Sequence, residues 1–226
     1  MQPLDRCRHA VPLCSGRHFA ASWREDRAEC RETFQDAALP YPALFLDRDG
    51  VVNVDHGYAV THHRFAFMDG IFDLTRLAVD RGYRVVIVTN QAGIAHGDFT
   101  EAEFLRFTDW MVGEFHRHGG DIAGVFHSPF HNDGVLPAYA RDSFWRKPAP
   151  GMILEAARRL DLDLSKSILV GDQATDMQAA ARAGIGRRVL LGHRPEQAAD
   201  HVVDHLRDVT PFLTGWSGHH HPGSWR

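Results

Sequence analysis

The sequence is poor in lysine, in cysteine and in long apolar runs. Lys147 and Lys166 are its only lysines, so 23 of its 25 basic residues are arginine. A compact ammonium kept in such a chain invites a specific role, because a guanidinium is not its equivalent. Cys7, Cys14 and Cys30 all fall in the first 30 residues. An odd number outside any core-like run excludes a disulfide framework and argues against a thiol active site. No apolar run approaches the roughly 18 residues needed to cross a bilayer. Residues 1–30 also lack a continuous hydrophobic segment ending in a small-residue cleavage site, so the chain reads as cytoplasmic with no membrane contact. There is no basic block either, and 25 basic against 29 acidic residues give a formal charge of −4. That balance excludes a nucleic-acid-binding surface, and any anionic substrate must be met by local charge.

What is present is an ordinary globular composition, 44% hydrophobic and 24% charged over 226 residues, enough for one domain at roughly 150 residues each. Residues 1–40 mix charge, Ser, Gly and Pro without a period and read as an extension or linker. Residues 41–214 form the domain, and 215–226, with His219–His221, a loose tail. Within the domain, short apolar runs alternate with amphipathic stretches. Strands are expected at Ala43–Leu46, Tyr83–Val88, Ile122–Phe126, Ser167–Val170, Arg188–Leu191 and His201–Val203. Helices are expected at Gly70–Arg81, from a Thr100/Glu103 capping box to Gly119, at Met152–Leu160, Asp176–Ala183 and Leu206–Leu213. Ser128–Trp145 has no period and reads as a long loop. This alternation predicts a doubly wound parallel α/β sheet with no large cap domain, whose site lies beyond the carboxyl ends of the strands; a monomer is the expected state.

Polar residues fall at those ends. An Asp-x-Asp pair means little by itself in a chain with 21 aspartates. Asp47 and Asp49, however, leave an apolar strand and precede Gly50, whereas Asp161 and Asp163 follow a helix, where a solvated loop explains them. Thr89-Asn90-Gln91 leaves the second strand, Asp172 leaves the strand SILV, and Lys147 precedes a helix. Together they suit phosphoryl transfer. Asp47 can attack phosphorus and form an acyl phosphate, and Asp49 can protonate the leaving oxygen and then activate water. Mg²⁺ held by Asp47, Asp172 and a backbone carbonyl near Asp49 would bring the two anions together. Lys147 and the Thr89 hydroxyl would hold the phosphate oxygens. The bland alternatives are a turn at Asp47–Asp49 and helix caps at Thr89 and Asp172; for Asp176 a cap, or a supporting place behind the ligands, is preferred to ligation.

These motifs, in this order, resemble the haloacid dehalogenase-like phosphatases. FLDRDGVVNVDHGY (45–58), VTNQAGIAHGDFTEAEF (88–104), WRKPAPGM (145–152) and VGDQATDMQAA (170–180) are more closely similar to the heptose 1,7-bisphosphate 7-phosphatases and their histidinol-phosphatase cousins. The resemblance implies a Rossmann-like fold and Mg²⁺-dependent removal of the 7-phosphate of a heptose bisphosphate through an aspartyl phosphate. It also implies substrate binding by Asp55, His56, Gly57, Tyr58, Asn90, Gln91, Ala92 and Arg146. NVDHGY favours the heptose branch. Histidinol phosphate, or another small phosphomonoester, is the alternative substrate. Two departures stand out. Where the family commonly holds its long loop with zinc on cysteines, this chain has Ser128-Pro129-Phe130 and Ser143-Phe144-Trp145. Structural zinc is therefore not expected, and packing of Phe130, Tyr139, Phe144 and Trp145 is expected to hold the loop. Gln173 stands where the family often has lysine. A phosphatase fold reduced to a binding module, or a metal or redox sensor on the cysteines and histidines, are the rivals from other classes.

Overall fold

The computed structural model describes residues 10–11, 40–55, 57, 65–193 and 196–214. A seven-stranded sheet runs through it. In chain order the strands are β1 (Ala10–Val11), β2 (Ala43–Leu46), β3 (Arg84–Asn90), β4 (Gly124–Ser128), β5 (Ile168–Gly171), β6 (Arg187–Leu191) and β7 (His201–Val203). Their spatial order is β1-β4-β3-β2-β5-β6-β7. All neighbours from β4 to β7 pair in parallel. Only the two-residue β1 is antiparallel, and it lies in the segment expected to be an extension.

The helices are α1 (Ile71–Asp80), α2 (Ala92–His96), α3 (Glu101–Arg117), α4 (Gly151–Leu160) and α5 (Ala174–Ala183), with 3-10 turns at Leu164–Lys166 and Leu206–Phe212. Strand residues alternate between two cores, as a period of two requires. Leu44 and Leu46 join Val85 and Ile87 on one face, under Ile71 and Leu74 of α1 and Met111 and Phe115 of α3. Ala43 and Phe45 join Val86 and Val88 on the other, under Met152 and Ile153 of α4 and Met177 of α5. Because both faces are covered, the strands are apolar throughout. β2 is flanked by β3 on one side and β5 on the other. The winding therefore reverses beside β2, and a crevice opens beyond its carboxyl end. The connection from β2 to α1 is too short to form a cap domain.

Most expected boundaries lie within two residues of the observed ones. Thr100 caps α3 through a reciprocal capping box with Glu103. The strand expected at Ile122–Phe126 begins at Gly124 and continues through His127 and Ser128, which are buried. β3 likewise extends through Thr89 and Asn90. Apolarity under-reports strand length at the edge where polar side chains are gathered.

Candidate active site

Asp47 follows β2 directly and is buried. Its Oδ1 accepts hydrogen bonds from the Arg48 amide at 2.7 Å and from Lys147 Nζ at 2.8 Å. Lys147 is only 3% exposed, and its Nζ also contacts Asp176 Oδ1 at 2.5 Å and donates to the Val88 carbonyl at 3.0 Å. The loop between β4 and α4 delivers this lysine, and Asn90 fixes its backbone: the Asn90 amide donates to the Lys147 carbonyl and accepts from the Lys147 N–H, each at 3.0 Å.

Asp172 follows β5. Asp47, Asp172 and Asp176 each offer a carboxylate oxygen within 4.8 Å of the others. Asp176, expected as a helix cap or a supporting residue, does cap α5, accepting from the Gln173 amide at 3.1 Å, and it also stands beside the other two carboxylates. The signal was its place in Gly-Asp-x-x-x-Asp. Four residues after Asp172, on the first turn of α5, its second oxygen faces back to the strand ends. Gly171 leaves room for it, since a Cβ there would collide with the Asp176 side chain. Gly50 does the same for Asp172: with φ at +87°, it lies where a Cβ would strike the Asp172 carboxylate.

The Asp49 carboxylate is not in that cluster. Arg48 grips it with Nε and a terminal nitrogen at 2.9–3.2 Å, Asn53 donates to it at 3.1 Å and Gln91 at 2.9 Å. Gln91 also donates to the Thr89 hydroxyl at 2.9 Å. The Asn90 and Gln91 side chains thus organise the site's own groups, and the backbone turns into α2 at Ala92, which is buried. The five-residue α2 was not anticipated. Arg146 donates to the Phe130 carbonyl at 3.1 Å. Asp55 accepts from the Gly57 amide at 2.9 Å in an exposed turn. His56 and Tyr58 lie outside the described residues. Of the four side chains expected to hold the loop, Phe130 is buried and Trp145 packs on the second core, but Phe144 is 60% exposed. Phe144 is engaged through its carbonyl, which accepts from the Gly151 amide at 3.0 Å, with its ring beside Gly151.

Electrostatically the cluster is short of positive charge. Burial, and then Asp176, push Asp47 well above the usual carboxylate range, against the pull of Lys147. Burial also raises Asp172, partly offset by the hydrogen bond from Gln173. For Lys147, burial works against the ammonium, but Asp176 and Asp47 outweigh it and hold the group above its ordinary value. Three carboxylates face one ammonium, and the Asp172 Oδ1 is buried without a hydrogen-bond donor. Such a donor set fits a hard divalent cation.

An aspartate at the end of one strand, a buried lysine, and a second pair of aspartates, Asp172 after β5 and Asp176 on the first turn of α5, are the arrangement of a hydrolase of the haloacid dehalogenase type. Residues 144–209 match the family model described as "HAD-hyrolase-like". The chain is 48% identical over 177 residues to D-glycero-alpha-D-manno-heptose-1,7-bisphosphate 7-phosphatase of Burkholderia mallei, covering 76% of this chain and 94% of that one. It is 42% identical over 178 residues to D-glycero-beta-D-manno-heptose-1,7-bisphosphate 7-phosphatase of Escherichia coli K12, covering 76% and 93%. Among solved structures, D,D-heptose 1,7-bisphosphate phosphatase from B. bronchiseptica, complexed with magnesium and phosphate, superposes with a TM-score of 0.66 at 30% identity, covering 76% of this chain and 97% of that one. The chain belongs to the family of heptose-1,7-bisphosphate 7-phosphatases.

Proposed function

We propose that the protein removes the 7-phosphate of a D-glycero-D-manno-heptose 1,7-bisphosphate in a Mg²⁺-dependent reaction. The observation that carries the chemistry is the cluster of Asp47, Asp172 and Asp176 around Lys147. The substrate follows from relatives at 41–48% identity that carry this activity in their names. Asp47 and Asp172, with the backbone near Asp49, would hold the cation, and Asp176 stands beside them. When bound, the cation lowers the repulsion between an anionic nucleophile and an anionic phosphate.

Arg48 and Lys147 fix the Asp47 carboxylate, of which one oxygen would attack phosphorus and the other face the cation. As the new O–P bond forms, the bond to the sugar oxygen breaks, and that oxygen takes a proton from Asp49. Water then attacks the acyl phosphate, gives its proton back to Asp49 and releases phosphate and Asp47. Lys147 holds Asp47 in place and balances charge on the phosphate oxygens, with the Thr89 hydroxyl as a second donor. Arg146, Asp55, Gly57 and their neighbours His56 and Tyr58 are proposed to meet the sugar and its second phosphate, together with the Asn90–Ala92 turn. The proposed setting is a monomer acting on a small sugar phosphate in the cytoplasm. Among the described residues no helix is long and apolar enough to cross a membrane.

The test is phosphate release from both heptose 1,7-bisphosphate anomers and from histidinol phosphate, with and without Mg²⁺. Asp47→Asn should lower the Mg²⁺-dependent rate by roughly a thousandfold or more, the scale seen when a covalent nucleophile is removed. Release from histidinol phosphate alone would move the substrate assignment. An unchanged rate in Asp47→Asn would remove the mechanism.

A further inference from the structure

Residues 129–150 form the loop that brings Arg146 and Lys147 to the site, and they contain no helix or strand. Its internal bonds converge on Tyr139. The Tyr139 carbonyl accepts from the amides of His131 at 3.2 Å and Arg141 at 2.9 Å, and its ring lies 6.0 Å from that of Phe130. The Phe130 carbonyl in turn holds Arg146 at 3.1 Å.

The loop meets the body of the protein through the Ala95 carbonyl, which accepts from the Val135 and Leu136 amides at 2.9 and 3.0 Å, and, at Tyr139 itself, through a side-chain bridge. The Tyr139 hydroxyl donates to Glu101 Oε2 at 3.1 Å, and Glu101 Oε1 lies 3.0 Å from Nε2 of His127, which is buried at the end of β4. The His127 ring also packs 4.6 Å from Phe104, on the next turn of the helix that Glu101 opens. A carboxylate suits this place. It has two acceptor oxygens, it sits in the first turn of α3 where the helix favours negative charge, and hydrogen bonds to a charged acceptor are the stronger kind. Burial, and then the charge of Glu101, keep the Tyr139 phenol above its ordinary value, so its hydroxyl remains a donor at working pH.

We propose that Glu101 is a positioning residue for substrate recognition: by bridging His127 of the sheet and Tyr139 of the loop, it docks residues 129–146 and thereby sets Arg146 at the mouth of the site. The inference rests on the reading of Arg146 as a contact to the non-reacting part of the sugar phosphate. A small aryl phosphate, which has no such part, should not sense the tie.

Tyr139→Phe and Glu101→Gln, made in the full chain, separate the possibilities. Hydrogen exchange should show amides of residues 130–146 losing protection about tenfold in both variants, with β2 and β3 unchanged. Steady-state kinetics should show KM for heptose 1,7-bisphosphate rising about tenfold, equivalent to about 1.4 kcal/mol. Neither kcat nor the hydrolysis of p-nitrophenyl phosphate should change by more than about twofold. Unchanged exchange overturns the tie, and loosened exchange with unchanged KM overturns the positioning role. Equal losses on both substrates would reduce Glu101 to general stability. If the wild-type protein hydrolyses the aryl ester but no heptose bisphosphate, the substrate reading fails and Arg146 loses its assigned role, while the exchange data still decide the docking.

Discussion

Gly50 shows how tightly single residues determine this site. Its φ of +87° disfavours any side chain, and a Cβ there would strike the Asp172 carboxylate. Gly50→Ala should therefore displace Asp172 and weaken Mg²⁺ binding by at least about tenfold, equal to 1.4 kcal/mol, as read by calorimetric titration. Native-like affinity would show that the contact relaxes at no cost. Away from the site, Glu155 sits at about 2, below its ordinary 4.5, chiefly through hydrogen bonds from Arg158, with Arg159 adding to them. A depressed carboxylate stabilises the fold above its unfolded pKa and loses that contribution as pH falls towards the folded value. Glu155→Gln should therefore lower Tm at pH 7, and the gap to wild type should narrow at pH 3 in thermal melts. Asp47, Lys147 and Asp172 were legible in the sequence because each stands at a strand or helix end with a chemically distinctive neighbour. Asp176 was not, since a capping aspartate and a buried partner of Lys147 look alike until the helix is folded.

At the scale of elements, local signals worked where they were complete. Thr100 and Glu103 bond each other's backbone amides, with the Glu103 carboxylate 2.8 Å from the Thr100 N–H. Thr100→Ala should cost about 1 kcal/mol. For a chain of this size that lowers Tm by roughly 2–4 °C, and differential scanning calorimetry would read it. No change in Tm would mean that tertiary packing alone holds the start of α3. The five-residue α2 is too short for its single turn to show a period in the sequence. The ends of β3 and β4 went unread for a different reason: Thr89, His127 and Ser128 are polar yet buried, held by the sheet ladder and by site contacts that no local pattern encodes. The loop after β4 is irregular, as its lack of period implies, but the polar bridge through Glu101 that ties Tyr139 to the body of the protein has no local signal. A carboxylate at the first position of a helix gives no hint of partners 26 and 38 residues away.

For the whole molecule, one arrangement explains most of what the parts do. Period-two strands feed two cores, helices cover both, and the reversal of winding beside β2 brings four separate chain segments to one edge. The alternation of elements made that architecture readable, because right-handed crossovers leave few ways to connect them. The tertiary meeting of Asp172 and Asp176 with Lys147 required the structure. The central claim concerns which phosphate leaves, and ³¹P NMR of heptose 1,7-bisphosphate incubated with the protein and Mg²⁺ tests it most directly. Loss of the 7-phosphate signal from at least one anomer, with the 1-phosphate retained and no reaction in Asp47→Asn, is the predicted result. Release of the 1-phosphate, or turnover that survives in Asp47→Asn, would contradict the account.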